Sequence, residues 1–251
     1  MACSADVDAA PFDLAPDAPS AALCLHGLTG TPYEVRPLGE ALAARGIRAF
    51  GPRLPGHGET PASLARRTHG EWLDAVREHV AWLRERHERV FGVGLSMGGA
   101  LALVLAAEAR VDAVAVVGVP LRLRQPVAAL VPLLQRIAPF PRKRMGSDIR
   151  DAEARGRHPG YDVMPLAAVR ELQRLQRHLR RVLRDVRAPA LVAHGVHDRT
   201  ARPADAEEIH AKIASVEKQL LFLENSAHVV PVDRDGPALA RAVAGFLIRQ
   251  L

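Results

Sequence analysis

Val-Phe-Gly-Val-Gly-Leu-Ser-Met-Gly-Gly-Ala, residues 90–100, is the stretch that decides the fold. Its first six residues are apolar or glycine and predict a short buried strand, and a helical pattern follows from Met97 to about Ala109. A strand that turns into a helix at a serine between two glycines is typical of a nucleophile elbow, in which the serine hydroxyl is exposed on a sharp turn. A simpler interpretation is a tight glycine-rich turn in which Ser96 only caps the helix.

Short apolar runs alternate with helical patterns on both sides of this stretch. Continuous apolar runs suit strands that are covered on both faces, as in parallel sheets. We therefore expect an α/β fold over residues 1–251, a single domain with a mostly parallel central sheet flanked by helices. The other expected strands are 21–26, 47–51, 113–119, 190–195 and 219–224, and the other expected helices are 32–45, 71–86, 203–214 and 237–249. Residues 1–20 are expected to form a loose lead-in, and residues 52–63 a loop.

Residues 121–188 break this alternation. They contain two helical patterns, 127–138 and 165–186, around a basic, loop-like piece at 139–159. We expect a small helical cap, inserted over the carboxyl edge of the sheet. The segment has 16 Lys and Arg against 6 Asp and Glu, in a chain whose net charge is +6. The excess is interpreted as a solvated helical face, and no nucleic-acid partner is expected because no basic motif is interleaved with aromatic residues.

A serine hydroxyl needs a base within hydrogen-bond reach before it can act as a nucleophile. Among the 11 histidines, His228 follows the last predicted strand and so lies at the same sheet edge as Ser96. Asp198 follows the strand at 190–195 and is expected to orient the base. Asp205 and Glu224 are weaker candidates, because one lies in a predicted helix and the other at a strand end. The order Ser96, Asp198, His228 is that of the α/β-hydrolases.

Two backbone N–H groups must stabilise the oxyanion that forms when a serine attacks a carbonyl. Met97 N–H lies at a helix N-terminus, where donors are free and the helix dipole is positive. Leu28 N–H, in the loop His26-Gly27-Leu28-Thr29-Gly30, is expected to be the second donor. An ordinary strand-to-helix loop is the alternative interpretation of that segment.

Other histidines are given no catalytic or metal role. His57, in Pro55-Gly56-His57-Gly58, is interpreted as a residue that packs a loop. His194 and His197 flank Asp198, but no third ligand at metal spacing accompanies them, so no metal site is expected. The nucleotide-binding glycine fingerprints are absent from the sequence.

Taken together, these segments resemble the bacterial carboxylesterase and monoacylglycerol lipase branch of the α/β-hydrolase superfamily. The resemblance rests on the motifs already quoted, on Leu54–Gly58, and on their order and spacing. It implies the α/β-hydrolase fold with a small helical cap, an oxyanion hole from Leu28 and Met97, and hydrolysis of short- to medium-chain esters or monoacylglycerols without a cofactor. Leu28 stands where related esterases often carry phenylalanine, which leaves the acyl pocket's shape open. Residues 127–140 are expected to line the acyl site.

The fold alone does not choose the reaction. A thioesterase, lactonase, C–C bond hydrolase or acyltransferase could use the same site. A non-catalytic ligand-binding module and a basic interaction protein are the alternatives from other classes.

The sequence also predicts the state of the cysteines and the location of the protein. Cys24 lies in an apolar run and is interpreted as a small buried hydrophobe, and with Cys3 it makes no disulfide framework. No signal peptide is evident and no apolar run is long enough to span a bilayer, so we expect a cytoplasmic protein with a small-molecule ester substrate and no stable membrane insertion. The oligomeric state is left open.

Overall fold

The computed structural model describes residues 8–123, 127–143 and 146–251. Its central sheet has seven strands in the order β1-β3-β2-β4-β5-β6-β7. Strand β1 is antiparallel to β3, and all other neighbours are parallel, which confirms the predicted mostly parallel α/β sheet. The strands are β1 Phe12–Leu14, β2 Ser20–Leu25, β3 Ile47–Gly51, β4 Arg89–Leu95, β5 Ala113–Val117, β6 Ala190–Gly195 and β7 Lys218–Leu223.

Helices cover both faces of this sheet. They are α1 Arg36–Ala43, α2 Pro61–Ala65, α3 His69–Arg84, α4 Met97–Ala107, α5 Val127–Ile137, α6 Ala152–Arg157, α7 Leu166–Val182, α8 Pro203–Lys212 and α9 Gly236–Ile248. Successive strand residues alternate between two cores, because side chains along a strand point to opposite faces. One core joins the sheet to α3, α4, α7 and α8, and the other joins it to α1 and α9. Within the described ranges, no helix combines the length and hydropathy that a bilayer crossing requires.

The first turn after β2 departs from the predicted helix at 32–45. A 3-10 turn spans Pro32–Glu34, and α1 begins only at Arg36. Pro37 explains the interruption, because a proline lacks the N–H for a helical bond and its ring clashes with the carbonyl four residues back. The helix therefore starts where Pro37 falls in its first turn, a position that tolerates proline.

The lead-in at 1–20 is not wholly irregular where it is described. Residues Phe12–Leu14 form an edge strand that pairs with β3, and Arg48 of β3 donates to the Asp13 carboxylate at 2.8 and 2.6 Å. Phe12 is buried beside Gly51. The expectation of a loose lead-in was wrong here, because three residues are too few to show a strand periodicity in sequence.

Two short helices also lie where loops were expected. Helix α2 begins at the end of the predicted loop at 52–63, and α6 lies within the loop-like piece at 139–159. Each is stabilised at its start by a capping side chain: Thr60 accepts from Ser63 N–H, and Asp151 accepts from Ala154 N–H. Helices of five and six residues carry too little apolar periodicity to be found by pattern.

The segment at 121–188 lies between β5 and the start of β6 and contains α5, α6 and α7. Helix α7 packs against α4, and α5 packs against α7. The stretch between α5 and α7 contacts the loop after β2, since Tyr161 N–H donates to the Thr29 carbonyl at 3.0 Å. The inserted segment thus contacts the sheet edge on which the candidate site lies.

Candidate active site

Ser96 lies at the junction of β4 and α4 with a backbone φ of 55°, a left-handed conformation that residues with a Cβ rarely adopt. The two flanking glycines make this turn possible. A Cβ on Gly98 would lie 2.1 Å from the Leu25 carbonyl oxygen, and one on Gly94 would lie 2.4 Å from the Gly98 backbone. Ser96 N–H donates to the Val117 carbonyl at 2.9 Å, which fixes the turn to β5. This is the strained elbow geometry that the motif predicts.

The three predicted catalytic side chains converge at the carboxyl edge of the sheet. His228 Nε2 lies 2.9 Å from Ser96 Oγ, and His228 Nδ1 lies 2.7 Å from Asp198 Oδ2. Asp198 and His228 are buried, so water competes little for these bonds. His228 N–H also donates to the Asp148 carbonyl at 3.0 Å, so the inserted segment helps to hold the base. The arrangement joins a hydroxyl, an imidazole and a carboxylate in one hydrogen-bonded series.

The electrostatics of the pair match a base held by an acid. Burial raises the pKa of Asp198, but the charge of His228 and the hydrogen bonds from His194 and His228 outweigh it and hold the pKa below its usual value. Burial lowers the pKa of His228, but the Asp198 charge and hydrogen bond outweigh this and raise it. Asp198 Oδ1 accepts from the N–H groups of Thr200 and Ala201, both at 2.8 Å, and these bonds hold the carboxylate in place.

His194 is a partner of Asp198 that the sequence argument left aside. Its Nε2 lies 2.9 Å from Asp198 Oδ2, and the side chain is completely buried on β6. The position four residues before the acid was the only sequence signal for this contact. Asp205, the rival acid, is buried elsewhere and accepts from Leu121 N–H at 3.0 Å, away from His228.

The expected oxyanion donors lie beside Ser96. Met97 is the first residue of α4, and Leu28 lies in the loop after β2; both residues are buried. Within the described residues, neither N–H is found in a hydrogen bond. His57 Nε2 contacts the Leu28 carbonyl at 2.6 Å, which holds the Leu28–Thr29 peptide that follows this N–H. His57 thus packs and orients the loop, as expected from the sequence.

Glu34 and His158 form a buried pair that sequence reasoning missed. Glu34 accepts from Gly27 N–H at 2.8 Å through one oxygen and lies 2.9 Å from His158 Nε2 through the other. Burial raises the pKa of Glu34, but the hydrogen bond and charge of His158 outweigh it and lower the pKa to about 2. A buried carboxylate therefore holds the His26–Gly27 peptide, one peptide before the Leu28 N–H. Its partner comes from the inserted segment, 124 residues away in the chain, so no local pattern could reveal it.

Lys143 is a second link from the inserted segment to the same loop. Its Nζ donates to Thr29 Oγ1 at 2.6 Å, and burial lowers the pKa of this ammonium group. We call the four residues Thr29, Glu34, Lys143 and His158 the loop clamp, because they join the loop after β2 to the inserted segment.

A cavity of about 340 Å³ opens in front of Ser96 and His228. Its lining falls into an apolar set and a polar set. The apolar set includes Leu166, Val169 and Leu172 of α7, together with Leu123 and Met164. The polar set contains the whole loop clamp and Ser147, whose Oγ lies 2.8 Å from His158 Nδ1.

Among the described residues of α5, none lines this cavity, so the expectation that residues 127–140 line the acyl site is wrong where it can be checked. Helix α7 takes that place because it lies between α5 and the core.

Solved structures of lipolytic enzymes share this fold. A structure reported for the metagenome-derived lipolytic enzymes LipS and LipT superposes with a TM-score of 0.89 at 32% identity, covering 96% of this chain and 98% of that one. A monoacylglycerol lipase from Paleococcus ferrophilus, 19% identical, superposes with a TM-score of 0.81 over 96% of this chain and 98% of that chain. The expected α/β-hydrolase fold is thereby confirmed.

Sequence comparison gives the same family. This chain is 34% identical to a thermostable monoacylglycerol lipase of Bacillus sp. (strain H-257) over 96% of its length and 95% of the relative. It is 26% identical to a carboxylesterase of Bacillus subtilis (strain 168), over 90% and 92% of the two chains. The family model for hydrolases described as serine aminopeptidase, S33, matches residues 17–235. The chain therefore belongs to this family of α/β-hydrolases, Hydrolase_4.

Proposed function

We propose that this protein hydrolyses carboxylic esters of short- to medium-chain acids, monoacylglycerols included, through an acyl-enzyme on Ser96. The observation that carries the proposal is the hydrogen-bonded series from Ser96 through His228 to Asp198 at the carboxyl edge of the sheet. Relatives named as a monoacylglycerol lipase and a carboxylesterase support the ester class of substrate.

In the first step, Ser96 Oγ attacks the ester carbonyl carbon while His228 Nε2 takes the hydroxyl proton. Asp198 stays ionised and stabilises the imidazolium that forms, which agrees with the lowered pKa of this carboxyl. The carbonyl oxygen becomes an oxyanion and accepts from Leu28 and Met97 N–H. The intermediate then collapses: the bond to the alcohol oxygen breaks, and that oxygen takes the proton from His228.

In the second step, water replaces the alcohol. His228 removes a proton from the water as its oxygen attacks the acyl carbon, and a second oxyanion forms in the same place. Collapse of this intermediate releases the carboxylic acid and returns the proton to Ser96. Each step uses the same three side chains, so no cofactor is assigned in this proposal.

We assign the two parts of the substrate by the chemistry of the cavity lining. The apolar wall made by α7 and Leu123 suits an acyl chain, since an apolar chain gains free energy when it leaves water. The polar wall made by the loop clamp and Ser147 suits a leaving alcohol that carries hydroxyl groups. Residues 121–188 act as a helical cap in this proposal, because they supply most of both walls. A cytoplasmic location stays a prediction.

A substrate panel tests the proposal. The panel contains p-nitrophenyl esters of increasing chain length, monoacylglycerols, an acyl-CoA, lactones and an amino acid p-nitroanilide, each with the wild type and with Ser96→Ala. We expect esters to be turned over best, and Ser96→Ala to lose activity by several orders of magnitude with unchanged folding. Preference for the thioester, lactone or anilide would replace the ester assignment.

Labelling with a fluorophosphonate tests the nucleophile separately. We expect one adduct per chain at Ser96 and none in Ser96→Ala. Ser147→Ala is the matched control, because Ser147 lines the same cavity and should leave labelling intact. A folded wild type that forms no adduct would favour a non-catalytic ligand-binding module.

A further inference from the structure

Helix α5 exposes large apolar side chains that the proposed reaction does not use. In the described part of the chain, five of the exposed large hydrophobic residues lie within 130–140, and the other three are scattered. The five are Leu130, Leu133, Leu134, Ile137 and Phe140. A contiguous exposed apolar patch of this kind marks a surface that another body covers.

The apolar side chains of α5 form one stripe. Leu130, Leu133, Leu134 and Ile137 are spaced three, one and three residues apart, which places them on one helix face. Ile137 is 73% exposed and Leu133 is 58% exposed, whereas Val131 is completely buried. Among the described side chains of α5, Val131 is buried in the protein and the apolar stripe is turned to the surroundings.

Guanidinium groups lie on the neighbouring helix α7, which contacts α5. Arg170, Arg174, Arg177 and Arg181 of α7 are spaced four, three and four residues apart and form a second stripe, which we call the arginine stripe. Helix α5 contacts α7, and a groove at their junction is lined by Pro132 of α5, the neighbour of Leu133 in the chain, together with Arg170, Arg174 and Arg177.

The arginine stripe is poorly neutralised. Within the described ranges, no ion pair is found for Arg170, Arg177 or Arg181, all of which are exposed. Two carboxylates of this region are already engaged: Glu171 binds His69 and Arg174, and Glu208 binds Arg122 and Lys212. Burial lowers the pKa of the neighbouring Arg180, and the charges of Arg122, Arg177 and Arg181 lower it further against the opposing charge of Glu208. The surface beside α5 is thus strongly positive.

We propose that α5 and the arginine stripe form a docking surface for an anionic lipid bilayer. An exposed apolar stripe with flanking cations is the pattern by which a helix lies in a membrane interface, with its apolar side chains at the acyl boundary. Guanidinium groups bind lipid phosphates with paired hydrogen bonds. The association is peripheral and reversible, so it agrees with the absence of a spanning helix in the described residues.

Docking through this surface has a geometric consequence for the cavity. Leu123 lines both the arginine-lined groove and the cavity in front of Ser96. A bilayer seated on α5 therefore lies next to one wall of that cavity. The docking itself does not depend on hydrolysis, so the two proposals fail separately.

Vesicle binding by the full chain tests the docking surface. Cosedimentation is measured with phosphatidylcholine vesicles and with vesicles in which about one third of the lipid is phosphatidylglycerol. We expect binding to the anionic vesicles to be at least about tenfold stronger and to weaken as salt is raised. Leu133→Ser/Ile137→Ser and Arg170→Gln/Arg177→Gln/Arg181→Gln should each reduce the anionic binding by about tenfold or more.

Matched controls distinguish binding through this surface from nonspecific effects of exposed apolar residues and of net charge. Val216→Ser removes a fully exposed apolar residue far from α5 in sequence, and Arg45→Gln/Arg89→Gln/Arg241→Gln removes three exposed arginines outside the inserted segment. Both controls should bind anionic vesicles as the wild type does. All four variants should hydrolyse a water-soluble ester at the wild-type rate, which shows that they fold.

Three outcomes would overturn the proposal. One is binding that does not distinguish anionic from zwitterionic vesicles, or that both surface variants leave unchanged. Another is a dimer in light scattering that Leu133→Ser/Ile137→Ser disperses, since a second copy would then cover the stripe. The third is tighter binding to an oligonucleotide than to anionic vesicles, which would make nucleic acid the partner of the arginine stripe.

Discussion

Two polar clusters border the cavity, and they are built differently. The triad of Ser96, Asp198 and His228 comes from residues that follow strands of the central sheet, so the sheet itself brings them together. The loop clamp joins the loop after β2 to the inserted segment, and its members contact backbone and side chains of that loop rather than Ser96. The triad is therefore assigned to the reacting atoms, and the clamp to the position of the peptides around them.

This difference predicts two kinds of mutational effect. Damage to the triad should lower kcat for every ester, because all esters need the same proton transfers. Damage to the clamp should be smaller. At Glu34 it should act through the position of the Leu28 donor, and at Lys143 it should depend on the alcohol part of the substrate.

Asp198→Asn is expected to have the largest effect. The asparagine keeps the size of the side chain, but its amide cannot hold His228 Nδ1–H in the required tautomer or stabilise the imidazolium. We expect kcat/KM to fall by roughly 10³- to 10⁴-fold with little change in melting temperature. Asp205→Asn is the matched control: it should lower the melting temperature and leave kcat within a few-fold. Equal losses of kcat in both variants would contradict the assignment of the acid.

Gly98→Ala tests the elbow that presents Ser96. The new Cβ would lie 2.1 Å from the Leu25 carbonyl oxygen, so backbone must move. We expect the free energy of unfolding to fall by about 3 kcal/mol, with a loss of activity in the folded fraction. Gly245→Ala in α9 is the matched control, since nothing lies within 4 Å of its Cβ position. It should be neutral or stabilise by up to about 1 kcal/mol, measured by denaturant titration.

Glu34→Gln tests the clamp at the peptide that precedes Leu28. The variant removes a buried charge from His158, and its amide still has an oxygen that can accept from Gly27 N–H. We expect kcat/KM to fall by about 10- to 100-fold through kcat, because the Leu28 donor moves. Glu207→Gln, an exposed exchange on α8, should have no effect. A change in KM alone would place Glu34 in substrate binding instead.

The same variant makes a prediction about acid stability. The pKa of Glu34 is about 2 in the folded protein against 4.5 for the free group. Its ionisation therefore stabilises the fold fully above about pH 4.5, and this stabilisation is lost as the pH falls toward 2. Denaturant titrations from pH 5 to pH 2 should show a shallower loss of stability in Glu34→Gln than in the wild type. Parallel curves would show that this carboxyl does not have a depressed pKa.

The pH profile of catalysis reports on His228. The base must be neutral to accept the Ser96 proton, so kcat/KM rises with pH as this imidazolium loses its proton. Because Asp198 raises the pKa of His228, the midpoint should lie above 6.5, the value of the free group. Initial rates on a soluble ester from pH 5 to pH 9 measure it. A midpoint below 6.5 would mean that burial outweighs the carboxylate.

Lys143→Met is expected to have the smallest effect. It removes the ammonium group that donates to Thr29 Oγ1 in the polar wall, and keeps an unbranched side chain of similar length. We expect KM for a monoacylglycerol to rise by about three- to tenfold, while a p-nitrophenyl ester is unaffected. Lys212→Met, an exposed exchange on α8, is the control. An equal effect on both substrates would show that the polar wall does not recognise the alcohol.

The sequence by itself determined the parallel strands of the sheet, the elbow and the candidate triad, but not the edge strand β1. Apolar runs mark buried strands, and the carboxyl ends of parallel strands share one edge, so residues that follow such strands must lie near each other. Ser96, Asp198 and His228 could therefore be predicted without knowledge of any contact. The glycines at 94 and 98 carry the same information, because only a glycine permits the close backbone approach found there.

The tertiary structure alone decided what surrounds the triad. Glu34 and His158 pair across 124 positions, and Lys143 reaches Thr29 across 114, through a segment whose path no periodicity fixes. The sequence analysis assigned residues 127–140 to the cavity wall, but α7 packs on α4 and lines the cavity instead. An amphipathic pattern shows that a helix has an apolar face. Only tertiary packing decides what that face contacts, because the hydrophobic effect is not directional.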